Sequence, residues 1–398
     1  MRGVIFVVLA ILSVFAQSQH VFIEPNGPHR WRTRPYAFIN ATIIKRAGDT
    51  LRNATMLIKN GYIQEIGTDI EIPEGYVIID LNGKWIYPAF IDIVSDYGVE
   101  SPKRPSKQRP QLYPIENQVL ETNEAIRSYQ NPLLFWKPDD KKADQLRKAG
   151  FGTVAVHVPD GIARGYGAVV LTGKGQAPYL AIQNKSFAVF SFDKGSSRQD
   201  YPTSKMGALA LLRQSLYDAQ WYQQVKDIKG LEIPEILSLK ELFKQFDIPW
   251  LFVTKNRFEI RMALTVMEEF NKTDVFVYVG NDAYQWIHYL ARHKDKLKLV
   301  VPLNFPKPYE EAKDLYDAKL LTWRVLKHWE LSPYAPYLYY KANIPFVFTA
   351  HGLKNPSEFL PALRKVVKRG LPAEEVLRAL TERPAQWLGL SDLLGTLE

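Results

Sequence analysis

Few residues in this chain could do chemistry, and their spacing limits what that chemistry can be. Of 398 residues seven are histidine and none is cysteine. Disulfides, thiolate zinc sites, cysteine nucleophiles and a lipid-modified N-terminal cysteine are therefore excluded. "GYGAVVLTGKG", Gly165 to Gly175, is rich in glycine but lacks the G-x-x-x-x-G-K-[ST] spacing of a phosphate cradle. His20, His29, His288, His293 and His328 stand near the N-terminus or in helix-like runs, where imidazoles are ordinarily solvated or satisfied in a core. Two histidines remain, His157, within "GTVAVHV", and His351, just after "IPFVFTA"; a carboxylate such as Asp96, just after "IYPAFIDIVS", could join them as a third donor. Such nitrogen and oxygen atoms can hold a zinc-like ion ~2 Å from each, and a catalytic zinc site normally takes three protein ligands. The three are far apart in sequence, so only the strands that carry them could bring them together.

Those strands belong to a long α/β pattern. From Tyr36, "YAFINATIIK", "ATMLIKNGYIQEIG" and "YVIIDLNGKWIYP" read as short strands, with Asn60-Gly61 and Asn82-Gly83 as hairpin-type dipeptides. Beyond Tyr87, "GTVAVHV", "WLFVT", "VFVYVG", "KLVVPLNF" and "IPFVFTA" read as buried strands. "MGALALLRQSLYDAQWYQQV" and "RFEIRMALTVMEEF" carry helical periodicity. The βα alternation predicts a parallel barrel or a doubly wound sheet. "AVVLTGKGQAPYLAIQNKSFAVFSF" reads as an inserted antiparallel hairpin set, followed by the loop "KGSSRQDYPTSK". Pro-rich loops are expected around 101–117 and 302–310, exposed or lining one face.

At 46% hydrophobic and 13% aromatic the chain has ample material for a large core without disulfides. Its 51 Lys and Arg against 42 Asp and Glu leave +9, but the basic residues are scattered except for the Pro-interrupted "SPKRPSKQRP". That run reads as a solvated loop, and no nucleic-acid partner is expected. The N-terminus, "MRGVIFVVLAILSVFAQSQH", has the basic start, apolar run and small residues of a signal peptide. Export to the periplasm or the extracellular space is expected, with cleavage near Ala16. The apolar run is too short for a bilayer span of about twenty residues, so no membrane span is expected after cleavage.

"NATIIKRAGDTLRNATMLIKNGYIQEIG", "VIIDLNGKWIYPAFID", "AGFGTVAVH", "YPTSKMGALALLRQSLYDAQWY" and "LTERPAQWLGLSDLLGTLE", in that order, resemble the amidohydrolase superfamily, in particular proteins related to imidazolonepropionase. The resemblance covers nearly all of the chain after residue 36. It implies an α/β fold: a distorted (β/α)8 TIM-type barrel over 87–388, with a small β-sandwich begun by 36–86 and resumed at 389–398. Residues 1–19 would be the signal peptide and 20–35 a linker. It also implies an active site at the C-terminal ends of the barrel strands, where a metal-bound water hydrolyses a carbon-nitrogen bond other than a peptide bond.

Carried over residue by residue, the ligand pattern fails. The first-strand motif P-G-F-I-D-x-H-x-H stands here as Pro88 to Asp96, with Val94 and Asp96 where histidines belong. Val253 and Val279 fall at the fifth- and sixth-strand histidine positions, and His351 falls where the proton-accepting aspartate belongs. Valine has no lone pair, so the expectation is a barrel without a metal and without hydrolysis. Val94, Val253 and Val279, with the loop residues Asn281 and Asn304, would line a binding mouth, and Asp92 would fix the end of the first strand. Two alternatives stand beside it. One is an active enzyme with a rebuilt mononuclear zinc site at Asp96, His351 and His157; the other is an envelope protein that binds carbohydrate or peptide, suggested by the many Trp and Tyr residues. The family's chain continues past "G-T-I-E" into strands that complete the sandwich, whereas this sequence stops at Glu398. A C-terminal amidohydrolase-like domain or a second chain is the expected partner; two-part proteins with a degenerate first half and a complete second half would have this arrangement.

Overall fold

The computed structural model describes residues 34–100, 122–226, 228, 233–306, 319 and 321–398, all within one unit, Thr33–Glu398. The expected signal peptide and the basic run from Ser101 lie outside the described residues, as does the loop beyond residue 306.

The chain first builds a small sheet in the order β3-β2-β1-β4, with β5 also on β1. Its strands are β1 (Tyr36–Arg46), β2 (Asp49–Lys59), β3 (Tyr62–Gly67), β4 (Val77–Asp80) and β5 (Trp85–Ile86). Asn60 and Gly61 both take positive φ, 55° and 81°, between the antiparallel β2 and β3. This is the two-residue hairpin that Asn-Gly favours. Asn82 and Gly83 also take positive φ, yet no hairpin forms there. The strands on either side of them, β4 and β5, both run parallel to β1. Leu81 N–H and Gly83 N–H donate to the Ile39 and Asn40 carbonyls, so the dipeptide makes a kink that keeps the chain alongside the same neighbour.

The second sheet has eight strands in the order β13-β12-β11-β10-β9-β8-β7-β6. They are β6 (Phe90–Ser95), β7 (Phe151–His157), β8 (Ala163–Leu171), β9 (Ala181–Ser191), β10 (Trp250–Val253), β11 (Val275–Tyr278), β12 (Leu297–Pro302) and β13 (Phe346–Thr349). The hairpin read as an insertion is part of this sheet. β8 runs antiparallel to both β7 and β9, while β9 through β13 are parallel. Its near-continuous apolar composition is that of a strand buried on both faces, and Ala163 through Val170 are all buried.

Alternation along the strands sorts the core into two layers. One parity packs outward against helices such as Lys205–Lys226 and Arg257–Glu269; the latter starts where the Asn256 side chain accepts from the Phe258 and Glu259 N–H groups. The other parity fills the barrel interior with Ile91, Val169, Val189, Leu251, Phe276 and Val347. Trp387, from the helix Glu382–Trp387, joins this inner cluster, its ring stacked on Phe276 at 5.7 Å. The chain then returns to the small sheet, where Leu397 N–H donates to the Lys45 carbonyl and Glu398 pairs with Arg46.

Candidate binding mouth

The parallel barrel strands end at one rim, and their last inward side chains define the mouth. Val94 is completely buried among the interior residues, and Val253, half-buried at the end of β10, packs on the same cluster. Val279 does not. It packs in the outer layer with Val275 and Val277, because the period of two along β11 turns Phe276 and Tyr278 inward instead. The inward residue at this position is therefore the phenol of Tyr278, which the sequence reading passed over by one residue.

The three candidate donors gather at this rim. His157 ends β7, with its ring centroid 6.5 Å from that of His351, which follows β13. The Tyr278 ring meets His351 edge-on at 5.5 Å. Asp96 is exposed beside them, near enough that its charge favours protonation of His351. Burial is the larger effect and lowers the His351 pKa, as does the Arg164 guanidinium. His157 is only 1% exposed, and neither of its ring nitrogens has a hydrogen-bond partner. Desolvation, followed by the charge of Arg164, holds its pKa well below the ordinary imidazole value. It is therefore neutral at pH 7, with one N–H and one lone pair both unused.

Two further groups complete the rim. Asn281 donates from Nδ2 to the Asn304 carbonyl at 3.0 Å and to its side-chain oxygen at 3.1 Å, so these loop residues brace each other. A Cβ at Gly352 would lie 2.8 Å from Asn304 Nδ2 and 3.0 Å from the Tyr278 hydroxyl, so the turn after His351 can approach them only as glycine. Asp92 is buried and accepts from the Val94 and Ala350 N–H groups at 3.0 and 2.9 Å, while Thr349 Oγ1 donates to the Val94 carbonyl at 3.1 Å. Side chains thus join β6 to β13. This fixes the end of the first strand, and a bulge between Asp92 and Ser95 turns both Ile93 and Val94 inward.

The structure is similar to an amidohydrolase from Thermotoga maritima MSB8, with a TM-score of 0.69 and 21% identity over 91% of each chain. A putative prolidase from Bifidobacterium longum matches with a TM-score of 0.51 and 14% identity, over 92% of this chain and 86% of that one. The fold is that of the amidohydrolases. No protein-family model and no curated protein matches the sequence. At such identities the likeness fixes the fold, and the chemistry has to be read from the mouth.

The amidohydrolase barrel implies one or two divalent ions at this rim, and the residues present do not fit them. Val94 and Val253 offer no lone pair, and Tyr278 offers a phenol whose pKa burial raises. Among the described residues no group of three or more His, Cys, Asp or Glu side chains could hold an ion. Asp96, His157 and His351 share a neighbourhood without making a ligand set. The buried guanidinium of Arg164 lies close enough to bias both imidazoles against a proton, and it opposes a dication for the same reason. Arg164 was not foreseen, although a charged residue inside the apolar, glycine-rich run "GIARGYGAVVL" is the kind of signal that marks a site.

Proposed function

We propose that this protein is a non-hydrolytic member of the amidohydrolase-fold proteins that binds at its barrel mouth and serves as a scaffold or binding domain for an active partner domain. The observation that carries this reading is the inner rim itself. Val94 and Val253 stand where a hydrolytic site would need imidazoles, β11 turns the Tyr278 phenol inward, and the charge of Arg164 disfavours protonation of the two histidines that remain. Metal analysis of the purified, dialysed full chain tests it. Zinc, iron and manganese are expected well below one per chain; stoichiometric metal, together with chelator-sensitive hydrolysis of a cyclic amide, would refute the reading.

A second reading keeps hydrolysis with a rebuilt mononuclear site, and the approach of the His157 and His351 rings favours it. In that case Asp96→Ala and His351→Ala would each abolish zinc uptake. The partner reading is supported by the small sheet, whose end strand β4 pairs only with β1 among the described residues. Ile78, Trp85 and Tyr87 near that edge are 57%, 56% and 47% exposed, an apolar surface suited to another domain or a second chain. Export is supported by the N-terminal sequence, and intact mass of the exported protein should place the mature start near Gln17 to Gln19. No helix among the described residues is long and apolar enough to cross a membrane.

A further inference from the structure

The helix Lys205–Lys226 buries Leu209, Leu212, Leu216, Ala219 and Tyr222 in the outer layer of the core. On its other side Met206, Ala210, Arg213, Tyr217 and Trp221 follow at intervals of three or four residues, so all five lie on one face. Ala210 is exposed, and Met206, Tyr217 and Trp221 are 68%, 47% and 56% exposed. A helix that packs on a barrel through one face has no need of large apolar side chains on the other. These three leave roughly 300–400 Å2 of surface in water, the size at which a patch marks an interaction site. Met, Tyr, Trp and Arg are also the residue types enriched at the centres of interfaces. Arg213 donates from Nε and Nη2 to the two carboxylate oxygens of Glu269, and the Tyr217 hydroxyl donates to the same carboxylate. The guanidinium is thereby neutralised within the chain, and its charge does not hold two such faces apart.

We propose that this stripe is the contact of a homodimer, in which the helix packs antiparallel on its copy about a two-fold axis at Arg213 and Gln214. The spacing of the stripe selects a second copy as the occupant. In such an isologous pair, positions equidistant from the axis face each other. Ala210 then faces the partner's Tyr217 and Met206 faces the partner's Trp221, so a small or flexible side chain meets each large ring. An axis at Ala210 or at Tyr217 would instead leave Trp221 or Met206 facing positions outside the partner's helix, which spans Lys205–Lys226. The chosen axis also sets the Arg213–Glu269 pairs of the two copies side by side, where each guanidinium gains a second carboxylate. The stripe supplies about half of the roughly 800 Å2 that each partner buries in a standard interface, and polar residues at its margin, such as Gln214 and Gln224, must supply the rest. The dimer is therefore weak and reversible, with a dissociation constant of about 1–100 µM. This goes beyond the binding reading and does not depend on the barrel mouth.

Because the chain has no cysteine, a single introduced thiol reads the register directly. The full chain carrying Gln214→Cys or Gln224→Cys, both exposed positions, is treated with a bismaleimide that spans about 8–10 Å, the distance between packed helix axes. Position 214 should cross-link the two copies, since it stands at the axis. Position 224 should not, because the antiparallel arrangement holds its two copies about 30 Å apart. Sedimentation velocity of the unaltered chain should show monomer and dimer exchanging over the micromolar range. Trp221→Lys should weaken the dimer at least ten-fold while leaving the thermal midpoint in place, as its side chain is half exposed. Trp85→Lys, on the small sheet, should leave the cross-link at position 214 unchanged. A monomer at all concentrations, a dimer that Trp221→Lys leaves intact, or cross-linking at 224 rather than at 214 would each overturn the proposal. The first result would assign the stripe to a different protein, and the last to another register.

Discussion

At the scale of single residues, burial sets the protonation of the mouth in two opposite directions. Desolvation raises the Asp92 carboxyl from 3.8 to about 7, against the downward pull of Thr349 and of the Val94 and Ala350 N–H groups. Between those values the folded protein keeps a proton that the unfolded chain has released. The stability this contributes is complete below the unfolded value and lost as pH rises through about 7. His157 acts in the opposite sense. Its folded pKa is depressed, so its contribution is complete above the ordinary imidazole value and falls as pH drops below it. Asn at position 92 cannot reproduce the proton uptake and has one acceptor oxygen for two backbone N–H groups. Denaturant titrations should therefore show Asp92→Asn most destabilised at acid pH, by about 1–3 kcal/mol, with the deficit narrowing toward neutrality. A deficit independent of pH would mean that Asp92 is ionised throughout. His157→Phe removes two unsatisfied buried atoms at similar shape and should raise the unfolding free energy by about 1–3 kcal/mol; a loss would show that the imidazole already has a partner.

At the scale of elements, the strands matter through where their inward parity ends. Trp387 stacks on Phe276 within the interior, and Lys298 Nζ lies 5.2 and 5.7 Å from the two ring centroids. Trp387→Ala should cost about 3–5 kcal/mol, read as a lowered denaturation midpoint, because the cavity it leaves is walled by strands that cannot close in. Asn256→Ala removes two N-terminal capping bonds from the helix Arg257–Glu269 and should cost about 1 kcal/mol. The hairpin dipeptides carry the same lesson. Asn60-Gly61 and Asn82-Gly83 have the same local geometry, but only the first reverses the chain, because the segment after Gly83 finds its partner on β1 again. Local φ values were legible in sequence; the pairing partner was not.

At the scale of the whole molecule, the small sheet has, among the described residues, an end strand β4 that pairs only with β1, and an exposed apolar corner where Trp85 stacks on Tyr87 at 6.1 Å. If this corner receives a partner strand, sedimentation velocity of the isolated chain should show association that grows with concentration. Trp85→Lys should suppress it without lowering thermal stability, since the side chain is half exposed. A monomer at all concentrations would argue that the corner is covered only by a separate domain.

The sequence by itself determined the strand-rich start, the βα alternation that follows it, and the apolar character of Val94 and Val253, all of which follow from local composition and side-chain type, which no packing can alter. The choice of a barrel over a doubly wound sheet came from the resemblance to the amidohydrolases. The sequence also marked Asp96, His157 and His351 as the donors worth following. Only the tertiary structure decided that Tyr278 rather than Val279 faces inward, since register across neighbouring strands fixes parity and a shift of one residue reverses it. Tertiary structure likewise made the read-through insertion into strands β8 and β9 of the barrel. That placement brings the charge of Arg164 within electrostatic reach of the two histidines, since a guanidinium acts through space on groups that sequence separation keeps apart.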